Sequence, residues 1–454
     1  MMPTTSLSGF PELLPSERFV ELAVLDRLRT IFELHGFAPI ETRAAEPLEQ
    51  LLRKGEIDKE VYLLRRLQAD TEEDQPKSSD SVLGLHFDLT VPFARYVIDN
   101  AGHLQFPFRR YQIQKVWRGE RPQTGRYREF TQADIDIVAK DALPFHHDVE
   151  IARVMAEALG ALEFLPPLRL QVNNRKLIEG FFRGIGATDI GAVMRAIDRL
   201  DKVPADVVGK ELTQVAGLSD AQATVCLQLA DIRSTDLAFV ERVRALGVQH
   251  DLLDAGLAEL AAVIEGCATI NGVTVEADLR IARGLDYYTG TVFETRMSGH
   301  ESLGSICSGG RYDALATDGK STYPGVGISL GVTRLLMPLF QQGVLAGSRP
   351  VPSAVLIALP HDDDRSRCDA LAQRLRSRGI ATEVAAAAQK FGKQIRYAER
   401  RGIPYVWFPG DADEPGTDTV KDIRSGEQVS ADPDAWLPPE NDLRPQVIMQ
   451  RVER

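Results

Sequence analysis

A cluster of basic residues in the first third of the chain has the composition of a phosphate-binding segment. Between Pro107 and Phe130, seven basic side chains stand against two acidic ones, a local charge of +5. The basic residues are Arg109, Arg110, Lys115, Arg118, Arg121, Arg126 and Arg128, and the acidic ones are Glu120 and Glu129. So many cations on one short segment repel each other unless an anion is supplied, and arginine matches phosphate with two parallel donors.

The same segment predicts a β-hairpin, because the runs FRRYQIQKVWR and EFTQADIDIV flank the turn-rich ERPQTGR. Side chains alternate faces along a strand, so one face of the second run is polar and the other apolar. The polar face carries Phe130, Gln132, Asp134 and Asp136, and the apolar face carries Ala133, Ile135 and Ile137. Together with Arg118 and Glu120, this face could hold an anion and an ammonium group. An ordinary solvated sheet shows the same alternation, so both interpretations stay open.

Three later peptides combine glycine with arginine or tyrosine. They are ARGLDYYTGTVFE at 282–294, CSGGRYDAL at 307–315 and GVGISLGVTRLL at 325–336, with arginines at Arg283, Arg311 and Arg334. Glycine permits close backbone approach, so the neighbouring arginines could meet a ligand held there. Each peptide alone is a weak signal.

Two nucleotide-binding motifs and a metal site are disfavoured. The sequence DGKS at 318–321 resembles the end of a P-loop, but Ala314 stands where that motif needs its first glycine. The glycines of GVGISLG have the wrong spacing for a dinucleotide fingerprint. Adjacent residues on a helix point about 100° apart, so His146, His147 and Asp148 are predicted to be surface residues, and no metal site is expected.

The composition limits the class of protein. A chain of 454 residues suggests two or three domains, and 65 acidic against 53 basic residues give a net charge of −12. This excludes a uniformly basic nucleic-acid binder but allows a local basic surface. The 4 cysteines form no C-x-x-C pair, and neither a signal peptide nor an apolar run of about 18 residues is visible. We expect a cytoplasmic protein with reduced thiols and no membrane segment.

The remaining elements form three regions. An amphipathic pattern predicts a helix over Ser16–His35. Short helical patterns follow one another from about 176 to 265, including a capping box at Ser219 and Gln222, and indicate a helical insertion between two β-rich halves. After the linker-like GSRPVPS at 347–353, strands and helices alternate, which predicts a separate α/β domain.

Charge in this last domain is unevenly distributed. Ten basic and three acidic residues at 365–401 give a local charge of +7, whereas two basic and nine acidic residues at 411–440 give −7. The basic half is either a pair of solvated helices or a nucleic-acid surface, and the pattern alone does not decide between them.

Taken together and in chain order, these peptides resemble those of class II aminoacyl-tRNA synthetases in the histidyl form. The hairpin resembles motif 2, GVGISLGVTRLL resembles motif 3, and HFDLTVPFARY resembles the amino-acid-binding peptide. The 282–294 and 307–315 peptides are similar to the two that are peculiar to histidyl-tRNA synthetases. The peptides QKFGKQIRYAERRGIPYV and TVKDIRSGEQ resemble the anticodon-binding domain of that family.

The resemblance implies an α+β fold and a function. We expect an antiparallel-sheet catalytic domain at 1–345, with the helical insertion at about 176–265, and an α/β anticodon-binding domain at 350–454. The implied activity is histidine–tRNA ligation, in which ATP activates L-histidine and the histidyl group passes to the 3′ end of tRNA(His). Mg²⁺ would be bound mainly through the ATP phosphates, and the protein would be a homodimer.

The resemblance also implies roles for individual residues. Arg118 and Arg334 would hold the ATP phosphates, Glu120 would touch the adenine side and Phe130 would stack on the adenine ring. The histidine-binding residues would be Asp88, Thr90, Gln132, Asp136, Arg283, Tyr287, Tyr288 and Tyr312. Arg118 and Arg283 would be catalytic, with Arg283 near the reacting carboxylate and α-phosphate. Arg121 and Gln123 would approach the acceptor end of the tRNA.

Two positions depart from the family pattern, and two other functions stay open. His86 stands where arginine is more usual before the Asp-Leu-Thr peptide. The motif 1 region, which builds the dimer interface in the family, has Arg43 after Thr42 in place of proline. A paralogue that regulates histidine biosynthesis is one alternative, although such paralogues usually lack the anticodon-binding domain and degrade the RGLDYY peptide. A class II synthetase for threonine or proline is the other.

Overall fold

A computed structural model describes residues 7–52, 60–65, 82–282, 287–314, 316–411 and 416–449. The chain divides into a larger unit, Met1–Pro11 with Leu25–Pro338, and a smaller unit, Glu12–Val24 with Leu339–Arg454. Within the described ranges, no helix is long and apolar enough to cross a membrane.

The larger unit combines helices with a sheet. Two of these helices, the first and the last, also include residues of the smaller unit. The helices are α1 Pro15–Leu34, α2 Leu48–Leu51, α3 Thr90–Asn100, α4 His146–Gly160, α5 Arg175–Gly184, α6 Ile190–Asp198, α7 Ala205–Gln214, α8 Asp220–Ala230, α9 Ala238–Arg244, α10 Asp251–Cys267 and α11 Val332–Gln341. The strands are β1 Ala38–Pro39, β2 Ala45–Pro47, β3 Leu63–Leu64, β4 Leu83–Leu85, β5 Phe108–Trp117, β6 Glu129–Val138, β7 Leu168–Asn174, β8 Arg233–Ser234, β9 Val273–Asp278, β10 Thr291–Met297, β11 Cys307–Tyr312 and β12 Gly325–Gly331.

A nine-stranded sheet is the centre of the described part of this unit. Its order is β1-β5-β6-β12-β11-β10-β7-β9-β8, and every neighbouring pair is antiparallel except β1 with β5 and β7 with β9. The predicted hairpin is confirmed, with Phe108 opposite Val138 and Trp117 opposite Glu129. The solvated-sheet interpretation is wrong, because every residue from Thr131 to Val138 is buried.

Helix α4 packs against one face of this sheet, and a buried ion pair joins them. Arg311 Nη2 lies 2.7 Å from Asp148 Oδ2, and the Thr291 hydroxyl donates to Asp148 Oδ1 at 2.7 Å. The prediction that His147 and Asp148 lie at the surface is therefore wrong, since both are buried. The sequence could not reveal this, because the cation that balances Asp148 lies 163 residues away in the chain.

The region predicted as an insertion is helical, with α5 to α10 in succession. The capping box at Ser219 and Gln222 is confirmed at the start of α8. Its first and last helices, α5 and α10, cross closely at Gly256, where a Cβ atom would lie 2.1 Å from the Leu177 backbone nitrogen. Both helices also contact β7, so the ends of this region pack on the central sheet.

The smaller unit alternates strands and helices, as predicted. Its elements are β13 Leu345–Gly347, β14 Val355–Ile357, α12 Arg365–Ser377, β15 Thr382–Val384, α13 Phe391–Arg400, β16 Tyr405–Phe408, β17 Thr419–Asp422, β18 Gln428–Ser430, α14 Glu440–Leu443 and β19 Val447–Met449. Its described residues form a five-stranded sheet in the order β15-β14-β16-β17-β18, parallel in the first three strands and antiparallel in the last two.

Candidate active site

One face of the central sheet is polar and carries the candidate site. Strand register places Asp136 opposite Gly327, and Gly327 opposite Gly310, so the strands β6, β12 and β11 present these residues side by side. The two glycines leave room for their neighbours. A Cβ atom at Gly327 would lie 2.1 Å from Asp136 Oδ1, and one at Gly310 would lie 2.7 Å from the Tyr288 ring. Glycine at these positions is therefore a requirement of the site.

A polar cleft, which we call the arginine cleft, opens at one end of this face. Its lining residues are Glu60, Arg118, Glu120, Gly125, Arg126, Tyr127, Phe130, Gln132, Ser305, Ile306, Ser308, Ser329, Gly331 and Arg334. All four residues that the resemblance assigned to ATP lie in this list. The cleft therefore brings these four residues, Arg118, Glu120, Phe130 and Arg334, together, although the chain separates them by up to 216 residues.

Neighbouring backbone and rings orient the two arginines. Arg118 donates from Nε to the Phe87 carbonyl at 3.0 Å, and its guanidinium lies 5.1 Å from the centre of the Phe130 ring. Arg334 donates from Nη2 to the Leu303 carbonyl. Glu120 Oε1 lies 3.7 Å from Arg118 Nη1. Two guanidinium groups thus face one cleft, which suits a polyphosphate.

The proposal that all seven hairpin cations need an external anion is wrong. Five of them have acidic partners inside the protein: Arg109 with Glu150, Arg110 with Asp136, Lys115 with Glu129, and both Arg118 and Arg126 with Glu120. Alternation along a strand predicts which face a side chain occupies, but it does not reveal these partners. Of the seven, Arg118 and Arg126 line the arginine cleft.

A second, smaller cavity adjoins the cleft, and we call it the tyrosine cavity. Its lining residues are Thr90, Asp134, Asp136, Tyr287, Tyr288, Ser308, Gly309, Gly310, Tyr312, Gly327, Ile328 and Ser329. Ser308 and Ser329 line both spaces, so the cleft and the cavity meet there. The Tyr287 ring stacks on Tyr312 with centroids 5.6 Å apart and meets Tyr288 edge-on at 5.0 Å. Flat aromatic walls of this kind suit a planar ring.

A buried hydrogen bond and a buried ion pair, both to Asp136, form one wall of the tyrosine cavity. The Tyr312 hydroxyl donates to Asp136 Oδ1 at 2.7 Å, and Arg110 Nη2 lies 2.6 Å from Asp136 Oδ2. The Arg110 side chain is 0% exposed, and its guanidinium lies 4.3 Å from the centre of the Phe93 ring. Asp136 is therefore a charge-balanced acceptor in a fixed orientation.

Burial sets the protonation of the groups around the cavity. It raises the pKa of Tyr287, Tyr288 and Tyr312, and nearby carboxylates and rings add to the effect. The three phenols are therefore neutral near pH 7, and the Tyr312 hydroxyl donates to Asp136. Burial also raises the pKa of Asp134 to about 7, against the opposing effect of Arg110 and with a further increase from Asp136.

Several predicted residues lie outside the two spaces or outside the described part of the chain. Asp88 does not appear among the lining residues, and its Oδ1 accepts the Val91 backbone N–H at 3.1 Å at the start of α3. Arg121 and Gln123 lie on the loop between β5 and β6, where Gln123 forms a bridge with Arg126. Arg283 lies outside the described residues.

Some residues that line the cleft and the cavity, among them Ser329 and Glu60, were not predicted from the sequence. Ser329 alternates with Gly327 along β12, so strand periodicity could have placed it on the active face. Glu60 carried no such signal. His86, which departs from the family pattern, is buried, bonds through Nε2 to the Lys115 carbonyl oxygen at 2.7 Å and stacks on Trp117. Burial lowers its pKa, so its place in this protein is structural.

The mostly antiparallel sheet, with an arginine cleft beside a smaller cavity walled by tyrosines, is the arrangement of a class II aminoacyl-tRNA synthetase. The sequence model of the histidyl-tRNA synthetase family matches residues 9–335, and that of an anticodon-binding domain matches residues 353–437. The chain belongs to the histidyl-tRNA synthetase family. It is therefore an aminoacyl-tRNA ligase, and the fold expected from its motifs is confirmed.

Two relatives and one solved structure are similar to this chain over nearly its whole length. A histidine–tRNA ligase of Cutibacterium acnes is 60% identical, covering 97% of this chain and 98% of its own, and one of Micrococcus luteus is 59% identical, covering 98% and 99%. A crystal structure of histidyl-tRNA synthetase from Nostoc sp. PCC 7120 has a TM-score of 0.84 at 34% identity, covering 95% of this chain and 97% of its own. These relatives exclude a synthetase for threonine or proline.

We predict that Tyr312→Phe weakens the binding of histidine but not that of ATP. The substitution removes the hydroxyl that donates to Asp136, and a hydrogen bond to a charged group contributes about 1.5 kcal/mol or more. We expect the KM for histidine in ATP–pyrophosphate exchange to rise about tenfold. Tyr323→Phe is the matched control, because Tyr323 is a buried tyrosine outside both spaces. An unchanged KM in Tyr312→Phe would contradict this account of the cavity wall.

Proposed function

We propose that the two adjoining spaces carry out histidine activation, with ATP in the arginine cleft and L-histidine in the tyrosine cavity. The observation that carries this proposal is their junction at Ser308 and Ser329. A histidine carboxylate oxygen attacks the α-phosphorus of ATP and pyrophosphate leaves. A hydroxyl of the terminal adenosine of tRNA(His) then attacks the activated carbonyl carbon, and AMP leaves.

The arginines supply the main catalytic effect. A carboxylate and a triphosphate repel each other, and negative charge gathers at phosphorus in the transition state, so fixed cations stabilise it. Arg118 and Arg334 take this role in the cleft, with Phe130 stacked on adenine and Glu120 on the adenine side. Arg283 is assigned to the reacting carboxylate and α-phosphate by family resemblance.

Selectivity for histidine comes from the polar atoms of the tyrosine cavity. Asp136 and the phenols of Tyr288 and Tyr312 match the imidazole nitrogens, and Tyr287 packs alongside. A buried site built to bond polar atoms rejects analogues that lack them, by roughly 10⁴ or more, because its own groups would be left unpaired. Thr90, Gln132 and Asp88 are assigned to the amino group and neighbouring atoms.

Mg²⁺ fits a carboxylate of the arginine cleft as an ion held chiefly by ATP. Mg²⁺ is usually held by one or two carboxylates together with substrate phosphates and water. Glu60 lines the cleft and would be the carboxylate available to such an ion, and the described residues offer no cluster of three or more acidic, histidine or cysteine ligands. When bound, Mg²⁺ neutralises phosphate charge.

In the smaller unit, fewer basic side chains are available to contact tRNA than the sequence suggested. Several cations in and directly after α12 are used internally: Arg376 and Arg378 donate to backbone carbonyls, and Arg374 pairs with Asp434. Helix α13 instead presents an exposed basic surface, consisting of Lys390, Lys393, Arg396 and Arg400. We assign the anticodon contact to this surface, and the acceptor-end contact to Arg121 and Gln123.

We also propose that the protein is a homodimer and is located in the cytoplasm. The small sheet of β2, β4 and β3 leaves apolar side chains exposed, among them Leu63 and Leu83, and exposed apolar patches often mark protein interfaces. Leu52, at the end of the motif 1 region, is exposed as well. The 4 cysteines are free thiols, which is typical of a reducing compartment.

The alternative of a regulatory paralogue is disfavoured. A Bacillus halodurans protein titled as a regulatory subunit or histidyl-tRNA synthetase has a TM-score of 0.70, but its 20% identity shows the fold alone. This chain carries an anticodon-binding domain and the RGLDYY peptide, and its relatives at about 60% identity are named histidine–tRNA ligase.

We predict that Arg118→Met abolishes most histidine-dependent ATP–pyrophosphate exchange. Loss of one transition-state donor costs roughly 3 to 4 kcal/mol, so kcat should fall by about 10² to 10³. Arg109→Met is the matched control, because Arg109 lies on β5, the strand that leads to Arg118, but pairs with Glu150 outside the cleft. Absent exchange in the wild-type protein would overturn the proposed function, and exchange supported by proline or threonine would overturn the cavity assignment.

We predict that the triple variant Lys393→Ala, Arg396→Ala, Arg400→Ala keeps amino-acid activation but charges tRNA poorly. Each lost phosphate contact lowers the salt dependence of binding, by about 0.7 to 0.9 in the slope of log K against log salt. We therefore expect a higher KM for tRNA(His) and a slope smaller by on the order of 2. A charge-matched variant at the exposed Lys140, Lys202 and Lys320 should behave as the wild type. Unchanged charging by the first triple variant would remove α13 from the tRNA contact.

A further inference from the structure

One carboxylate in the tyrosine cavity has no role in the function described above. Asp134 is 2% exposed and lines the cavity, and its Oδ1 has no hydrogen-bond partner among the described residues. Its cross-strand neighbour, Gln112, likewise leaves Oε1 without a partner in the described structure. A buried acceptor left without a donor costs about 1 to 3 kcal/mol. The position therefore suits a donor that arrives with a ligand.

The charge around Asp134 is also unbalanced. Arg110 Nη2 lies 3.9 Å from Asp134 Oδ2 but 2.6 Å from Asp136 Oδ2, and Asp136 takes the Tyr312 hydroxyl as well. Arg110 is thus committed to Asp136. The other described polar groups that face Asp134 from the surrounding elements are Asp88, Gln132, Tyr288, Cys307 and Ser329. None of these five is a cation.

The order of residues along β6 indicates which part of histidine lies beside Asp134. Phe130 and Gln132 line the arginine cleft, whereas Asp134 and Asp136 line the tyrosine cavity. Alternate residues on a strand are spaced about 6.5 to 7 Å apart. Since the histidine carboxylate must face the cleft and the ring must lie among the tyrosines, the α-carbon lies between them. The α-ammonium group is then next to Gln132 and Asp134.

We propose that Asp134 is a further histidine-binding residue, whose carboxylate accepts an N–H from the α-ammonium group and serves, with Asp88, as its counter-ion. This inference rests on the proposed function of the two spaces. Because burial raises the pKa of Asp134 to about 7, a fraction of molecules near neutral pH carry a proton there. That proton passes to solvent when the ammonium group binds. Affinity for histidine therefore rises as the pH rises through about 7.

The direct test is Asp134→Asn, which keeps the shape and removes the charge. We expect the KM for histidine to rise at least tenfold at pH 8, with the KM for ATP unchanged. The variant should also lack the gain in affinity that the wild type shows between pH 6 and 8. Titration of the histidine ring itself is common to both proteins and cancels in the comparison. Wild-type affinity and pH dependence in the variant would overturn the proposal.

Two analogues separate the ammonium group from the ring. Histidinol keeps both, whereas imidazolepropionic acid lacks the ammonium group. Asp134→Asn should lose affinity for histidine and histidinol but bind imidazolepropionate as the wild type does. An equal loss for imidazolepropionate would overturn the assignment to the ammonium group.

A measurement on the wild-type protein avoids any dependence on how the variant folds. Calorimetry in two buffers of different ionisation enthalpy gives the number of protons released on binding. At pH 7, after the protons exchanged by each ligand's own imidazole are subtracted, we expect about half a proton more for histidine than for imidazolepropionate, and no difference would overturn the proposal. Failure of this inference would leave wild-type histidine-dependent exchange intact, whereas failure of the proposed function would remove that exchange.

Discussion

The candidate site depends on one buried guanidinium. Arg110 is fully buried between the Phe93 ring and two carboxylates of the neighbouring strand. Removing one partner of a buried ion pair typically costs about 3 to 5 kcal/mol, because the other charge is left uncompensated. Arg110 allows Asp136 to stay charged inside the sheet, and Asp136 in turn fixes the hydroxyl of Tyr312.

The central sheet separates two kinds of buried charge onto its two faces. On one face, Arg110 balances an acidic wall that is open to a ligand. On the other, Arg311 and Asp148 form a closed pair that fastens α4 to the strands. Strand alternation thus lets neighbouring residues, such as Arg311 and Tyr312, serve packing and binding separately. The charge on the active face can therefore change when a ligand binds, whereas the charge of the Arg311–Asp148 pair on the other face stays fixed.

The sequence predicted the elements and the groups on each strand face, but not the long-range partners of the charges. The hairpin, the helical region and the smaller α/β unit follow from local periodicity and turn residues. The role of Arg110 does not, because strand periodicity assigns a face but cannot distinguish an arginine that binds phosphate from one that balances Asp136. Arg311 looked like a ligand-binding residue for the same reason, although it faces α4. Family motifs located the cleft residues, yet they gave no role to Asp134.

Calorimetric titration of Arg110→Met with histidine tests the central claim most directly. Without its guanidinium, the buried Asp136 loses the charge that balances it and the side chain that holds it in place. We expect the affinity for histidine at pH 7 to fall by at least a hundredfold, while ATP binding persists and shows that the protein is folded. Arg109→Met, one residue away on the same strand, should bind histidine normally. Wild-type affinity for histidine in Arg110→Met would contradict the account.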